Sequence, residues 1–188
     1  LQEGEIECYE KQSGKLINSQ YILQDSTISF QIEDYDKTKT LIIDPPLELY
    51  WATYYGGTGF DQGRCIITDQ SGNVFITGET RSSNFPTQDQ GGGAYYHGFH
   101  IGDDDVFILK FNNLCQRIWA TYYGGTDEDI GIGITTDKFG NLFVTGSTRS
   151  PNFPTQNPGG GAYYQSSLGS TINTQDVFIL KFDDNGFR

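Results

Sequence analysis

The most apolar stretches of this chain do not alternate cleanly with polar residues. In Asp105–Phe111, DVFILKF, the residues Val106, Ile108 and Lys110 share one face of an extended chain, and Phe107, Leu109 and Phe111 share the other. The same segment recurs at Asp176–Phe182. A sheet with one wet face would alternate, so these strands are expected to be covered on both sides. Three other segments read as strands: GRCIITD (Gly63–Asp69), NVFITGET (Asn73–Thr80) and RIWATYYGG (Arg117–Gly125). DQSGN and, in the later copy, DKFGN supply hairpin-turn chemistry between the first two strands. NNLCQ (Asn112–Gln116) is a hairpin-length link between the last two. No stretch of useful length shows a helical period.

The pattern is written twice. With a shift of 68, Trp51–Tyr96 falls on Trp119–Tyr164 with 32 of 46 positions identical, which marks a repeated structural unit. The unit holds four strand signals in about 70 residues. The expectation is an all-β chain of four-stranded antiparallel β-propeller blades. The repeats run over 47–117 and 118–188. In the phase of a propeller, Gly63–Gly125 is a complete blade and Gly131–Arg188 is a blade without its outer strand. Leu47–Gly57 then reads as a spare outer strand. Two blades are too few to close a ring, so the remainder of a longer propeller or other copies of this chain are the expected partners.

Between the second and third strands lies a loop of near-identical text, NFPTQDQGGGAYY at Asn84–Tyr96 and NFPTQNPGGGAYY at Asn152–Tyr164. Phe85, Tyr95 and Tyr96 read as anchors pinning it to its own blade. The other reading makes Tyr95, Tyr96, Tyr163 and Tyr164 stacking platforms for a glycan or peptide.

Leu1–Pro46 is not a repeat. EIECYEK, KLINSQYIL, STISFQIEDYD and TKTLIIDP read as four strands, with turns at Ser13-Gly14 and Asp36–Thr38. This β-rich segment is expected to be the end of a preceding domain, with the boundary at Pro45-Pro46. The chain starts at Leu1 and not at Met, which suggests a processed or excised piece.

WATYYGG, GRCIITDQSGNVFITGET, NFPTQ…GGGAYY and DVFILKF together resemble the SBBP family of bacterial β-propeller repeats, over roughly Leu47–Arg188. The LIIDPPLELYWATYYGG junction is similar to that preceding such propellers. The resemblance implies secreted or cell-surface bacterial proteins, often with adhesion-like modules. It brings no catalytic residues.

A formal net charge of −12 argues against nucleic acid and anionic membrane surfaces. No apolar run is long enough for a membrane helix. Acidic residues raise the possibility of Ca²⁺, which takes six to eight oxygen ligands. Asp127, Glu128 and Asp129 are its candidate site. The competing reading makes the repeated aspartates, Asp61/Asp129, Asp69/Asp137 and Asp105/Asp176, turn caps. His97 and His100 could share a metal, but the second copy lacks them. Cys8, Cys65 and Cys115 form no CxxC pair. No nucleophile elbow or placed carboxylate pair supports an enzyme. The expectation is a non-catalytic structural or adhesive module of an extracellular protein, self-assembling by strand sharing. Its rivals are a glycan- or peptide-binding module and an accessory domain of a secreted hydrolase.

Overall fold

A computed structural model describes residues 7–24, 27–44, 50–169, 174–183 and 185–188, and among these described residues twelve strands, β1 to β12, account for the regular structure. The chain divides into two compact units, Leu1–Ala52 and Thr53–Arg188.

In the first unit, β1 (Glu7–Glu10) pairs with β2 (Leu16–Ile17) and with β5 (Leu41–Asp44) in the order β2-β1-β5. β3 (Ser19–Gln24) and β4 (Thr27–Ile32) form a separate hairpin. KLINSQYIL is therefore two strands and not one, divided at Asn18 because its halves pair with different partners. Cys8 and Ile17 are the buried centre, packed against Ile32, Tyr35 and Leu41. The two expected turns are present. Gly14 takes a φ of 65° and its N–H reaches Glu10 O, while Asp36 Oδ1 caps Thr38 N. Pro45-Pro46 lies outside the described residues.

The second unit holds the repeats. β6 (Asp61–Thr68), β7 (Val74–Thr80), β8 (Asp105–Phe111) and β9 (Arg117–Tyr123) form one antiparallel sheet in sequence order. β10 (Asp129–Thr136), β11 (Leu142–Thr148) and β12 (Asp176–Phe182) form a second in the order β10-β11-β12. The first has the strands of a full blade, and the second, among the described residues, lacks a strand beyond β12. Both carry the same bulge, between Gly63 and Cys65 and between Gly131 and Gly133. The bulge forces the facing Gly78 and Gly146 against backbone. A Cβ on either would fall 1.9 Å from Gln62 O or Ile130 O.

Tyr50–Gly57 forms no strand, and residues 47–49 lie outside the described ones. The expectation of an outer strand there fails within this chain because among the described residues no strand pairs with the segment. Tyr55 nevertheless occupies the place in the first blade that Tyr123 occupies in the second. Each hydroxyl donates to the carbonyl of the loop proline, Pro86 or Pro154.

The turns after β8 and β12 share one backbone path. Asn112 N donates to Gln116 O and Asp183 N to Phe187 O, at 2.9 and 2.8 Å. The left-handed position is Gly186 (φ 82°) in the second copy and Cys115 (φ 60°) in the first. A side chain there costs about 1–2 kcal/mol, because Cβ crowds the following carbonyl. Cys115→Gly is expected to stabilise the second unit by roughly 0.5–1 kcal/mol after allowing for the looser unfolded chain. Thermal or urea unfolding of the variant beside the parent measures it.

Candidate functional site: the seam between the blades

The second blade lies on the first, with β10 against β6, β7 and β8. Each strand contributes one face. Phe75, Val106, Ile108, Trp119 and Tyr123 of the first blade meet Ile134, Leu142, Val144, Phe178, Leu180 and Phe182 of the second in one core. The aromatic rings meet edge-on, Trp119 on Phe182 with centroids 5.5 Å apart and interplanar angle 72°. Gly131 makes the approach possible. A Cβ on it would stand 2.3 Å from Thr77 Oγ1 and 2.9 Å from Val106 Cγ1.

The repeated loop does two things at this seam. Its flanks cover the free edge of β9. Gln88 exchanges two backbone bonds with Ala120, and Tyr122 N donates to His97 O at 3.1 Å. Its middle reaches the next blade. Gln90 Nε2 donates to Asn185 O at 3.2 Å and Tyr95 N to Gly186 O at 2.9 Å. Phe187 fills the space beside Gly93, where a Cβ would lie 2.9 Å from its ring. The Arg188 guanidinium sits over the Tyr95 ring, 4.6 Å from its centroid, and donates to Tyr123 Oη at 2.9 Å. Phe85 does anchor the loop to its own blade, stacked on Phe107 at 4.9 Å. Tyr95 corrects the expectation: besides Tyr123 of its own blade it packs on Phe182 and Arg188 of the next. Tyr96 is part-exposed, its hydroxyl 3.1 Å from Thr87 Oγ1.

The model of a β-propeller repeat, SBBP, matches residues 51–86 and 118–154. The chain contains two SBBP β-propeller repeats. A domain of unknown function, DUF7948, matches residues 1–46. The chain is also similar to an uncharacterized WD repeat-containing protein, L264, of Acanthamoeba polyphaga mimivirus. The two are 24% identical over 110 residues, 53% of this chain but 8% of that protein.

Where the SBBP repeats place acidic residues at turns, the carboxylates accept backbone bonds. Asp69 caps Ser71 and Asn73, and Asp137 caps Phe139 and Asn141. Partial burial works against the Asp69 charge, but the bonds from Asn73 and Ser71 hold its carboxyl below the usual range. Asp61 and Asp129 tie the strand-leading loop, each accepting from a glycine N–H and a serine hydroxyl. The three residues expected to hold Ca²⁺ point to different tasks. Asp129 is buried, Asp127 Oδ1 accepts from Glu128 N, and Glu128 faces Arg149 at 3.4 Å. Among the described residues no three His, Cys, Asp or Glu side chains are grouped to hold a metal ion. The His97 ring packs tilted against Phe99 and His100 meets Tyr122 edge-on. Burial lowers the His97 pKa. All three cysteines are free thiols.

Two features of the seam escape a reading of sequence. The first is the Arg117/Arg188 clamp, whose only signal is that both arginines follow DVFILKF by the same distance. The second is a buried acid pair. Asp105 of the first blade and Asp129 of the second both crowd Gly124, where a Cβ would stand 2.6 Å from Asp105 Oδ1 and 2.7 Å from Asp129 Oδ2. Asp105 Oδ2 accepts from Ile101 N at 2.7 Å, but its Oδ1 has no hydrogen-bond partner. Burial, with the nearby Asp129 and Asp104 charges, pushes the Asp105 pKa up to about 7. Burial raises Asp129 as well.

The remaining face of the second blade has no such cover. Val177 and Ile179 are 77% and 78% exposed, whereas their equivalents Val106 and Ile108 are 0% exposed. On the opposite side of the pair, Ile66 is 64% exposed and its equivalent Ile134 6%. Tyr163 is 89% exposed, and Tyr164, like Tyr96, is part-exposed.

The acid pair sets a pH dependence. A carboxyl whose folded pKa lies above its unfolded value stabilises fully below about pH 4, and this is lost as pH rises through about 7. The second unit is expected to lose roughly 2–4 kcal/mol from this source between pH 4 and pH 8. Asp105→Asn is expected to flatten that slope and to raise the melting temperature at pH 8. Melting curves of both proteins across that range decide it.

Proposed function

We propose that the chain is a non-catalytic structural module whose open blade faces are docked by further blades of the same kind, in an extracellular surface protein. One observation carries this reading: the apolar residues exposed on each open face are the repeat equivalents of residues buried at the seam. Val177, Ile179 and Ile66 stand where Val106, Ile108 and Ile134 are covered. Such exposed patches mark interaction surfaces. Tyr163 fits the same account. Its equivalent Tyr95 is covered by Arg188 and Phe182 of a following blade, so its exposure reflects the open face and not a dedicated ligand platform. The net charge of −12 and the resemblance to secreted repeat proteins support an exported location and argue against nucleic acid as a partner.

The test compares equivalent positions. Val106→Ser and Ile108→Ser are each expected to destabilise the second unit by roughly 2–4 kcal/mol, through lost burial and a buried hydroxyl. Val177→Ser and Ile179→Ser are expected to leave the melting temperature unchanged and to reduce binding of an apolar-surface dye, the remainder staying with the other open face at Ile66. Undiminished dye binding in that pair, with loss of glycan binding on Tyr163→Ala, would replace this reading by the glycan-binding one.

A further inference from the structure

We infer that Asp105 and Asp129 together bind one hard divalent cation, Ca²⁺ in preference to Mg²⁺, between the two blades. The inference goes beyond the docking role proposed above and does not depend on it.

The seam brings together two acidic turns that are separate in the chain. Asp103, Asp104 and Asp105 lead into β8, and Asp127, Glu128 and Asp129 lead into β10. Asp129 N donates to Asp104 O at 2.7 Å, so the two runs lie side by side. Arg81 pairs with Asp104 at 2.7 Å and Arg149 with Glu128 at 3.4 Å. Among the described residues no basic side chain pairs with Asp105 or Asp129, although the first is 1% exposed and the second 0%. Two like charges buried without a counter-ion are costly, so such a pair takes up a proton or a cation.

The oxygens favour the cation. Asp105 Oδ2 accepts from Ile101 N, and Asp129 Oδ2 from Gly125 N and Ser150 Oγ. Asp105 Oδ1 and Asp129 Oδ1 have no hydrogen-bond partner. Asp105 Oδ1 and Asp129 Oδ2 lie 2.6 and 2.7 Å from one point, the place that a Cβ on Gly124 would fill. Bonds from Ca²⁺ to oxygen are about 2.3–2.6 Å, so the two carboxylates are close enough to share one ion. A single shared proton would bridge these two oxygens and leave Asp129 Oδ1 unmet. Main-chain oxygens lie at the same crossing of turns. Gly102, with a φ of 102°, sits where a Cβ would be 2.9 Å from both Gly125 O and Asp127 O. The donors are thus all oxygen, and Ca²⁺ makes up its shell from carbonyls as well as carboxylates. Mg²⁺ keeps several waters, which so buried a place does not admit.

The first blade shows one acid without the other. At Gly56, the equivalent of Gly124, the three atoms nearest to an added Cβ all belong to Asp61, and Asp61 Oδ1 accepts from Thr80 Oγ1. The site therefore belongs to the seam and not to the single repeat. Of the acids read from the sequence as a Ca²⁺ site, Asp129 alone is retained, and its partner comes from the other blade. The pH dependence of the pair described above is that of the cation-free chain.

Calorimetric titration of Ca²⁺ into the EDTA-treated full chain at pH 8, with melting curves in Ca²⁺ and in EDTA, tests this. The parent is expected to bind one Ca²⁺ per chain, to bind Mg²⁺ at least about tenfold more weakly, and to melt higher in Ca²⁺ than in EDTA. Asp105→Asn is expected to weaken Ca²⁺ binding by at least about tenfold and to lose the Ca²⁺-dependent rise, while melting no lower than the parent in EDTA. Asp127→Asn, on the exposed part of the same acidic run, is expected to change neither readout. A parent that binds no Ca²⁺ overturns the inference. So does a Ca²⁺-dependent rise that survives Asp105→Asn, or one that is lost on Asp127→Asn, which would place the ion on the surface of the cluster.

Discussion

The strand Asp105–Phe111 is apolar on both faces, and the arrangement of the second unit follows from that. One blade can cover only one side of such a strand with its own loop. Phe85 and Tyr55 do this for Phe107, Leu109 and Phe111. The other side, Val106 and Ile108, needs something outside the blade, and the second repeat supplies it. The hydrophobic effect has no preferred direction. The seam gains its specificity elsewhere, from where glycine permits close approach and where hydrogen bonds must be met.

Gly131, Gly124 and Gly93 set that geometry. Each sits where a side chain would strike the opposing surface or a buried carboxylate. Around them the polar groups are matched, with Trp119 Nε1 donating to Tyr95 O and Tyr123 Oη bonded to both Pro154 O and Arg188. Asp105 and Asp129 are exceptions. Each has its Oδ1 buried without a hydrogen-bond partner, so the contact between blades contains a pair of acids that opposes it once ionised.

Much of this fold is legible in the sequence. The strands, their order and the incomplete second blade follow from the period-68 identity and from the hairpin residues, because local turn chemistry and two-sided burial are written into the residues themselves. N-terminal strand pairing was less legible. Asn18 gives no sign that Leu16–Ile17 and Ser19–Gln24 join different sheets. Which blade Tyr95 contacts was hidden as well, since a repeated loop reads the same whether it folds back or reaches forward. The acidic residues show the same limit. Asp127, Glu128 and Asp129 look like one cluster in the chain, yet strand geometry buries the last, leaves the first exposed and turns the middle one to Arg149.

The loop around Tyr95 makes the array directional. Its flanks cover the edge of β9, and its middle is held by the turn that ends the following blade. Release of a following blade frees the middle of the loop and loosens the cover on the edge behind it. Loss of a preceding blade does not touch that cover. Within this pair, opening of the second blade therefore reaches the edge of the first, while the reverse route has no such link.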